Sequence, residues 1–391
     1  MLPSASQKRL LQTLWRDGPL SRSQLGRRCG MRLNTVGEQT AAMLEAGLLR
    51  LHQPVTAGTG RPPVPLAIDS DRRHLLGVAV RPEGVELAKV DLLGEAIGPS
   101  VRRRAAGSHR AIRAAGELLD AHLESATLAI GIAAPGFIDP VARRLLFNAA
   151  VTNSRGASLG PIYQAAGTRH VVLANDAHAL AARWAIGGHG SAVDDAEDTL
   201  LVMLGDHQVG ASLLINGRPN DGCVHGANEL GHTRLPVDSP RCFCGHVGCI
   251  ETIFSSTYLA QRAGMDSVEP GLLDRMLARF ADGTHDKSLD VVIDMLAMVL
   301  ANAVTFTRVG RLVLSGGLTM HSAVVEALIA RIRAYVLVPI RQRLRLDLWQ
   351  QPAISPAATA AALVLAELYC PQWASSTGGA SLPVTLTPEN G

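Results

Sequence analysis

The chain has 391 residues, 47% of them apolar and 18% charged, with a formal net charge of +3. That length exceeds one ordinary core, so two or three domains are expected, and 4% aromatics beside 38 glycines suit an α/β protein with close backbone packing. No basic-then-apolar leader opens the sequence and no apolar run reads as a membrane span, so secreted and membrane-embedded classes are set aside and a cytoplasmic location, with no membrane partner, is the expectation.

Residues 8–15 read as a short helix with Leu10, Leu11 and Leu14 on one side, broken at Gly18-Pro19. Ser21 caps a second helix, 21–28, with Leu25 as its buried residue. Cys29-Gly30-Met31 makes a tight turn. A third helix, about 34–45, is capped by Asn34, presents Val36, Met43 and Leu44, and stops at Gly47. Strands at 48–52 and 64–68 flank a loop, Gly58-Thr59-Gly60-Arg61-Pro62-Pro63. The polar stretch from Asp69 to His74 marks a boundary, giving a first domain over 1–70.

From residue 75 the pattern becomes α/β. Strands are expected at 75–80, 85–91, 128–133 and 170–174, with helices at 110–124 and 176–186. A polar stretch from Ser191 to Asp198 separates a first lobe, 71–190, from a second, 191–370. The second holds strands at 199–204, 210–215 and 311–315 and helices at 288–307, 321–335 and 356–369. Paired strands followed by alternation with helices, twice over, predict a two-lobed fold with a cleft. The tail, 371–391, is rich in Ser, Thr, Gly and Pro and reads as disordered.

Three short helices followed by a two-stranded hairpin form the winged helix-turn-helix plan. Residues 1–68 carry nine Lys/Arg against three Asp/Glu, which suits a polyanion partner. The third helix would enter the major groove by its N-terminal end, offering Arg32, Asn34, Thr35, Glu38 and Gln39 to base edges. Ser21, Arg22 and Lys8 are candidate phosphate contacts, and Arg61 at the wing tip can reach the backbone or a minor groove. A protein-interaction module with a solvated polar face is the competing reading.

His232, Cys242, Cys244 and Cys249 supply one imidazole and three thiolates within eighteen residues, enough to close a tetrahedral Zn2+ shell. Gly245 and Gly248 let the loop fold back toward one ion. A closed shell leaves no site for water, so one structural zinc per chain is expected. Cys29, Cys223 and Cys370 are isolated and read as small buried residues.

Polar groups follow apolar strands at Asn175-Asp176, at Glu229 before His232, and at Glu251 after Cys249. Carboxylates and amides so placed suit a polyol, because each oxygen can accept a hydroxyl proton. Read singly, Asp176 could be a helix cap and the two glutamates surface charge.

These segments resemble the ROK family of repressors, open reading frames and kinases. The motifs are Ala133-Ala134-Pro135-Gly136, Ala174-Asn175-Asp176-Ala177, Asn228-Glu229-Leu230-Gly231-His232, and the run Cys242-Phe243-Cys244-Gly245-His246-Val247-Gly248-Cys249-Ile250-Glu251. The resemblance covers about residues 8–370, and the head resembles that of the repressor branch. It implies an actin/hexokinase-like (ribonuclease H-like) ATPase-fold body with sugar between the lobes, contacted by Asn175, Asp176, Glu229, His232 and Glu251. It also implies a homodimer or tetramer whose head geometry responds to an effector.

In family kinases the residue matching Asp176 is the general base, and Asp-x-Gly-Gly-Thr opens the body. Here that stretch is Ala79-Val80-Arg81-Pro82-Glu83, without the carboxylate and both glycines, and His207-Gln208 interrupts the second phosphate loop. Only Ser315-Gly316-Gly317 keeps the look of a nucleotide-side turn. Asp176 is thus a vestigial base, and no catalytic residue is expected. The expected function is a sugar- or amino-sugar-responsive regulator, chiefly a repressor, of carbohydrate genes at a near-palindromic operator. Two alternatives stand beside it: an active sugar kinase with an accessory head, and a regulator controlled by a partner protein.

Overall fold

The computed structural model describes residues 2–53, 64–81, 83–139, 142–147, 156–187, 197–206, 208–220, 228–269, 271–281, 283, 287–350 and 355–373. The tip of the expected wing with Arg61, Pro82, His207, Cys223 and the tail beyond Trp373 lie outside these residues.

Two serines start the head. Ser4 caps helix Ala5–Asp17 and Ser21 caps helix Arg22–Cys29, each accepting from the backbone N–H three residues on while a glutamine returns the bond. Gly30 takes the left-handed conformation that turns the chain into helix Leu33–Glu45. That helix is capped by Arg32 without a side-chain bond, so the expected Asn34 cap is corrected: Asn34 already lies in the first turn. Strand β1 (Leu49–Leu51) pairs antiparallel with β2 (Leu66–Ile68), and Leu20 bridges Leu66 on the other side. Leu10, Leu11, Leu25, Val36, Met43, Leu49 and Leu66 are buried as one core, which ties the helices to the wing.

The first lobe carries β3 (His74–Arg81), β4 (Gly84–Asp91), β5 (Val101–Arg104), β6 (Thr127–Ala134), a small sheet of β7 (Phe137–Asp139), β8 (Arg144–Phe147) and β9 (Ala157–Ser158), and β10 (His170–Asn175). Its main sheet runs β10-β6-β3-β4-β5. The second lobe carries β11 (Thr199–Gly205), β12 (Gln208–Ile215), β13 (Arg218–Pro219), β14 (Arg311–Ser315) and β15 (Arg345–Trp349), ordered β13-β12-β11-β14-β15. In both sheets the first strand is central. It pairs antiparallel with the second and parallel with the fourth, which continues parallel to the fifth. The two halves therefore repeat one ribonuclease H-like plan.

Helix Pro356–Tyr369 crosses between units. By sequence order it falls in the second lobe, 191–370, but it packs on β3, β4 and β6, on helix Asp176–Ile186 and on the head. Its alanines let its backbone lie on the sheet: a Cβ added to Gly77 would stand 1.8 Å from the Ala357 carbonyl oxygen, and one at Gly131 2.1 Å from that of Ala360. Helix Lys287–Thr307 corrects a second expectation, since by length and composition it is long and apolar enough to cross a membrane. Here its Leu289, Val292, Ile293, Leu296, Leu300 and Val304 face forms the core of the second lobe.

Candidate functional site

The carboxylates sit where the two lobes meet. Asn175 ends β10 and caps helix Asp176–Ile186: its Oδ1 accepts from Ala177 N–H at 2.8 Å, and its Nδ2 donates to the Gly136 carbonyl at 3.0 Å. The amide thus holds the 133–136 turn against the helix start. Asp176 is the first helical residue and is not the cap. Burial raises its pKa, opposed by the Ala177 backbone N–H and by the Arg81 guanidinium.

Glu229 and Glu251 come from the second lobe. Glu229 precedes a 3-10 turn, Leu230–His232, and Glu251 lies in helix Ile250–Ile253, which starts at Cys249. Gly231 is wedged between Val209 and Glu251, because an added Cβ would lie 2.4 Å from the Val209 carbonyl oxygen and 3.3 Å from Glu251. Burial, with the charges of Asp176 and Glu251, pushes Glu229 up to about 7. Three carboxylates from two lobes therefore feel one another in one partly enclosed place. Such a cluster holds acceptors for hydroxyl protons and repels further anions.

The four metal-ligand candidates converge. One donor atom from each of His232, Cys242, Cys244 and Cys249 lies within 4.8 Å of the others. Cys242 Sγ is 3.5 Å from His232 Nδ1, and Cys244 Sγ is 3.5 Å from Cys249 Sγ. Ligands about 2.0–2.3 Å from one tetrahedral ion lie roughly 3.5–3.8 Å apart, so this set could hold a metal ion. Burial pushes the Cys249 thiol up to about 11 and Cys242 higher still, so thiolates at these positions need a cation beside them. The other imidazole nitrogen of His232 lies 3.5 Å from Glu229 Oε2, which links the metal loop to the acidic cluster through one ring. Glu251 Oε1 lies 3.6 Å from Cys242 Sγ and makes a second link.

Arg81 pairs with Gly84 across the β3–β4 hairpin, and its Nε is 2.8 Å from Glu83 Oε1. Asp206 Oδ1 accepts the Ser256 backbone N–H at 2.8 Å, so it anchors helix Ser256–Arg262. No feature of the sequence marked that use of Asp206 or the approach of Arg81 to Asp176.

On the head, Arg32, Asn34 and Glu38 are exposed, and Thr35 and Gln39 are half-buried. Ser21 is 5% exposed, and its hydroxyl is engaged as a cap. Arg22 Nε donates to Thr40 Oγ1 at 3.0 Å, bracing the second helix on the third. Arg72 and Arg73 donate to the carbonyls of Leu44 and Ala46 at the end of the third helix, and Arg73 also donates to Ser125 of the first lobe. Sequence reasoning missed these two residues and the stack of Trp15 on Tyr369, whose rings lie 4.4 Å apart and 8° from parallel.

A winged helix-turn-helix head on a two-lobed ribonuclease H-like body defines a kinase-like fold with an added N-terminal module. The chain belongs to the ROK family, whose profile matches residues 101–367. The Escherichia coli K12 protein named DNA-binding transcriptional dual regulator NagC is 22% identical over 337 residues, 81% of each chain. An N-acetyl-D-glucosamine kinase of Citrobacter koseri is 29% identical over 225 residues, 53% of this chain and 71% of the kinase. A crystal structure of a ROK family transcriptional regulator, homologous to the E. coli MLC protein, superposes with a TM-score of 0.74 at 24% identity, covering 94% of this chain and 97% of that one. A ROK glucokinase from Streptomyces griseus, with glucose and AMPPNP, gives 0.57 at 21% identity and covers 74% and 97%. The regulators match along most of the chain, and the kinases match a smaller share of it.

Proposed function

We infer that this protein is a DNA-binding regulator whose effector is a sugar or amino sugar. The observation that carries the reading is the acidic cluster of Asp176, Glu229 and Glu251, drawn from both lobes beside a metal-ligand loop. A polyol bridging these carboxylates favours one lobe angle by its differential affinity for the two states. Asp176 opens a helix packed against Pro356–Tyr369, and that helix meets the head at Trp15. A changed lobe angle therefore alters the spacing of two recognition helices in a homodimer or tetramer on a near-palindromic operator. In the usual case the effector releases DNA, so the protein acts as a repressor of carbohydrate genes in the cytoplasm.

The ion suited to one imidazole and three thiolates is zinc, held by His232, Cys242, Cys244 and Cys249 as a cross-link for a loop with little core of its own. Asn175 positions the Asp176 helix, and His232 and Glu229 couple the loop to the pocket. Phosphoryl transfer is disfavoured because Ala79 stands where the kinase pattern has a metal-binding carboxylate, and the exposed Arg81–Glu83 pair puts a carboxylate at the turn where backbone amides would meet phosphate. Glu38, Gln39, Arg32, Asn34 and Thr35 face bases, with Arg22 and Arg61 toward the backbone.

The test is an electrophoretic shift of DNA from upstream of the chain's own gene, titrated with sugars and amino sugars. A sugar that changes DNA affinity is expected; none doing so overturns the reading. ADP release on addition of any hexose would restore the kinase alternative.

A further inference from the structure

We propose that Leu33 and Gly37 of the recognition helix form an apolar notch that reads the C5-methyl of a thymine in the major groove. The inference rests on the DNA-binding reading above and adds to it a residue-level source of sequence preference.

Leu33 is the first residue of helix Leu33–Glu45 and is 58% exposed. The buried side of that helix is Val36, Thr40 and Met43, so Leu33 contributes little to the head's core. One turn on, at i+4, stands Gly37, on the same helix face. Gly37 has ordinary helical backbone and is not among the positive-φ glycines. A Cβ added there meets nothing within 4 Å. Neither backbone geometry nor internal packing asks for glycine at this place, although glycine weakens a helix interior relative to alanine. The remaining physical reason is close approach by something outside the chain.

Both residues line an open groove of about 670 Å³ together with Ser21, Arg22, Ser23, Asn34, Glu38 and Val64. The groove's own lining carries one basic and one acidic residue, Arg22 and Glu38, so it is the charge of the head as a whole that selects the occupant. Arg22, Arg27, Arg28 and Arg32 stand on the second helix and the turn after it, in a segment with nine basic and three acidic residues up to position 68. That excess matches a phosphate backbone and disfavours a basic or apolar protein surface. Within a major groove the one apolar base feature is the thymine methyl, and an aliphatic side chain is its usual contact. Leu33 supplies the aliphatic wall, Gly37 leaves the helix surface low enough for the methyl to enter, and Asn34 and Glu38 stand beside them for polar edges.

The test uses the full chain and the tightest duplex it selects from a random-sequence pool. Each thymine of that duplex is replaced singly by deoxyuridine, which removes only the methyl. The expected result is a loss of about 3- to 10-fold in affinity at one position per half-site, the size of one buried methyl contact. Leu33→Ala should bind the thymine and deoxyuridine duplexes equally. Gly37→Ala should raise the thermal midpoint yet weaken binding to the thymine duplex. Indifference to every deoxyuridine, unchanged discrimination by Leu33→Ala, or wild-type affinity in Gly37→Ala each overturns the notch while leaving DNA binding intact. Selection of no duplex at all overturns DNA binding itself, and the notch with it.

Discussion

Breaking the ring stack between head and body should uncouple DNA affinity from sugar. Tyr369 is 2% exposed, its hydroxyl donates to the Leu92 carbonyl at 2.7 Å, and its ring stacks on half-buried Trp15. Removing a fully buried aromatic costs about 3–5 kcal/mol, so Tyr369→Ala should fall in that range and half-buried Trp15→Ala near half of it. The stack itself is worth about 0.5–1.5 kcal/mol beyond area burial. A double-mutant cycle in urea unfolding should therefore show the two changes failing to add by about 1 kcal/mol, since the stack is lost only once. Circular dichroism and fluorescence should be recorded together, because a head released from the body can melt apart from it and split the transition. In DNA titrations, the effect of sugar on Trp15→Ala should shrink by roughly 5-fold, the equivalent of about 1 kcal/mol of coupling. Additive single changes, or a sugar response of wild-type size, would refute the stack as a working contact between head and body.

Gly131→Ala should destabilise the first lobe by about 1–3 kcal/mol, because the new Cβ meets the Ala360 carbonyl oxygen and the helix must lift from the sheet. A thermal midpoint equal to the wild type would contradict that packing. Cys244→Ser should lower bound zinc, read by elemental analysis, and weaken sugar binding in calorimetry, since His232 joins the metal loop to Glu229. Full sugar affinity in a zinc-free variant would separate the two sites. Arg32→Ala should reduce operator affinity and flatten its salt dependence while leaving sugar binding unchanged; a parallel loss of sugar affinity would place Arg32 in a structural role.

Much of the site was legible because its signals are local. The ligands from His232 to Cys249 lie close in sequence, so their spacing alone encodes convergence. Serine caps and helical apolar spacing placed the head helices within a few residues, and Asn34 was misread as a cap because a cap needs a backbone angle as well as a residue type. Strand β5 went unread because Val101–Arg104 is exposed throughout, leaving no alternation between two faces.

The sequence by itself determined the three helices of the head, the main strands and long helices of both lobes, and the close spacing of the metal loop. Only the tertiary structure decided that Asp176, Glu229 and Glu251 share one environment and that helix Pro356–Tyr369 belongs against the first lobe and the head. His170 meets Glu367 at 2.8 Å across 197 residues, and no local pattern encodes such a meeting. Apolar burial is non-directional, so an alanine-rich helix is buried equally well against many surfaces in principle; the glycines of β3 and β6 make this one the surface it can approach most closely.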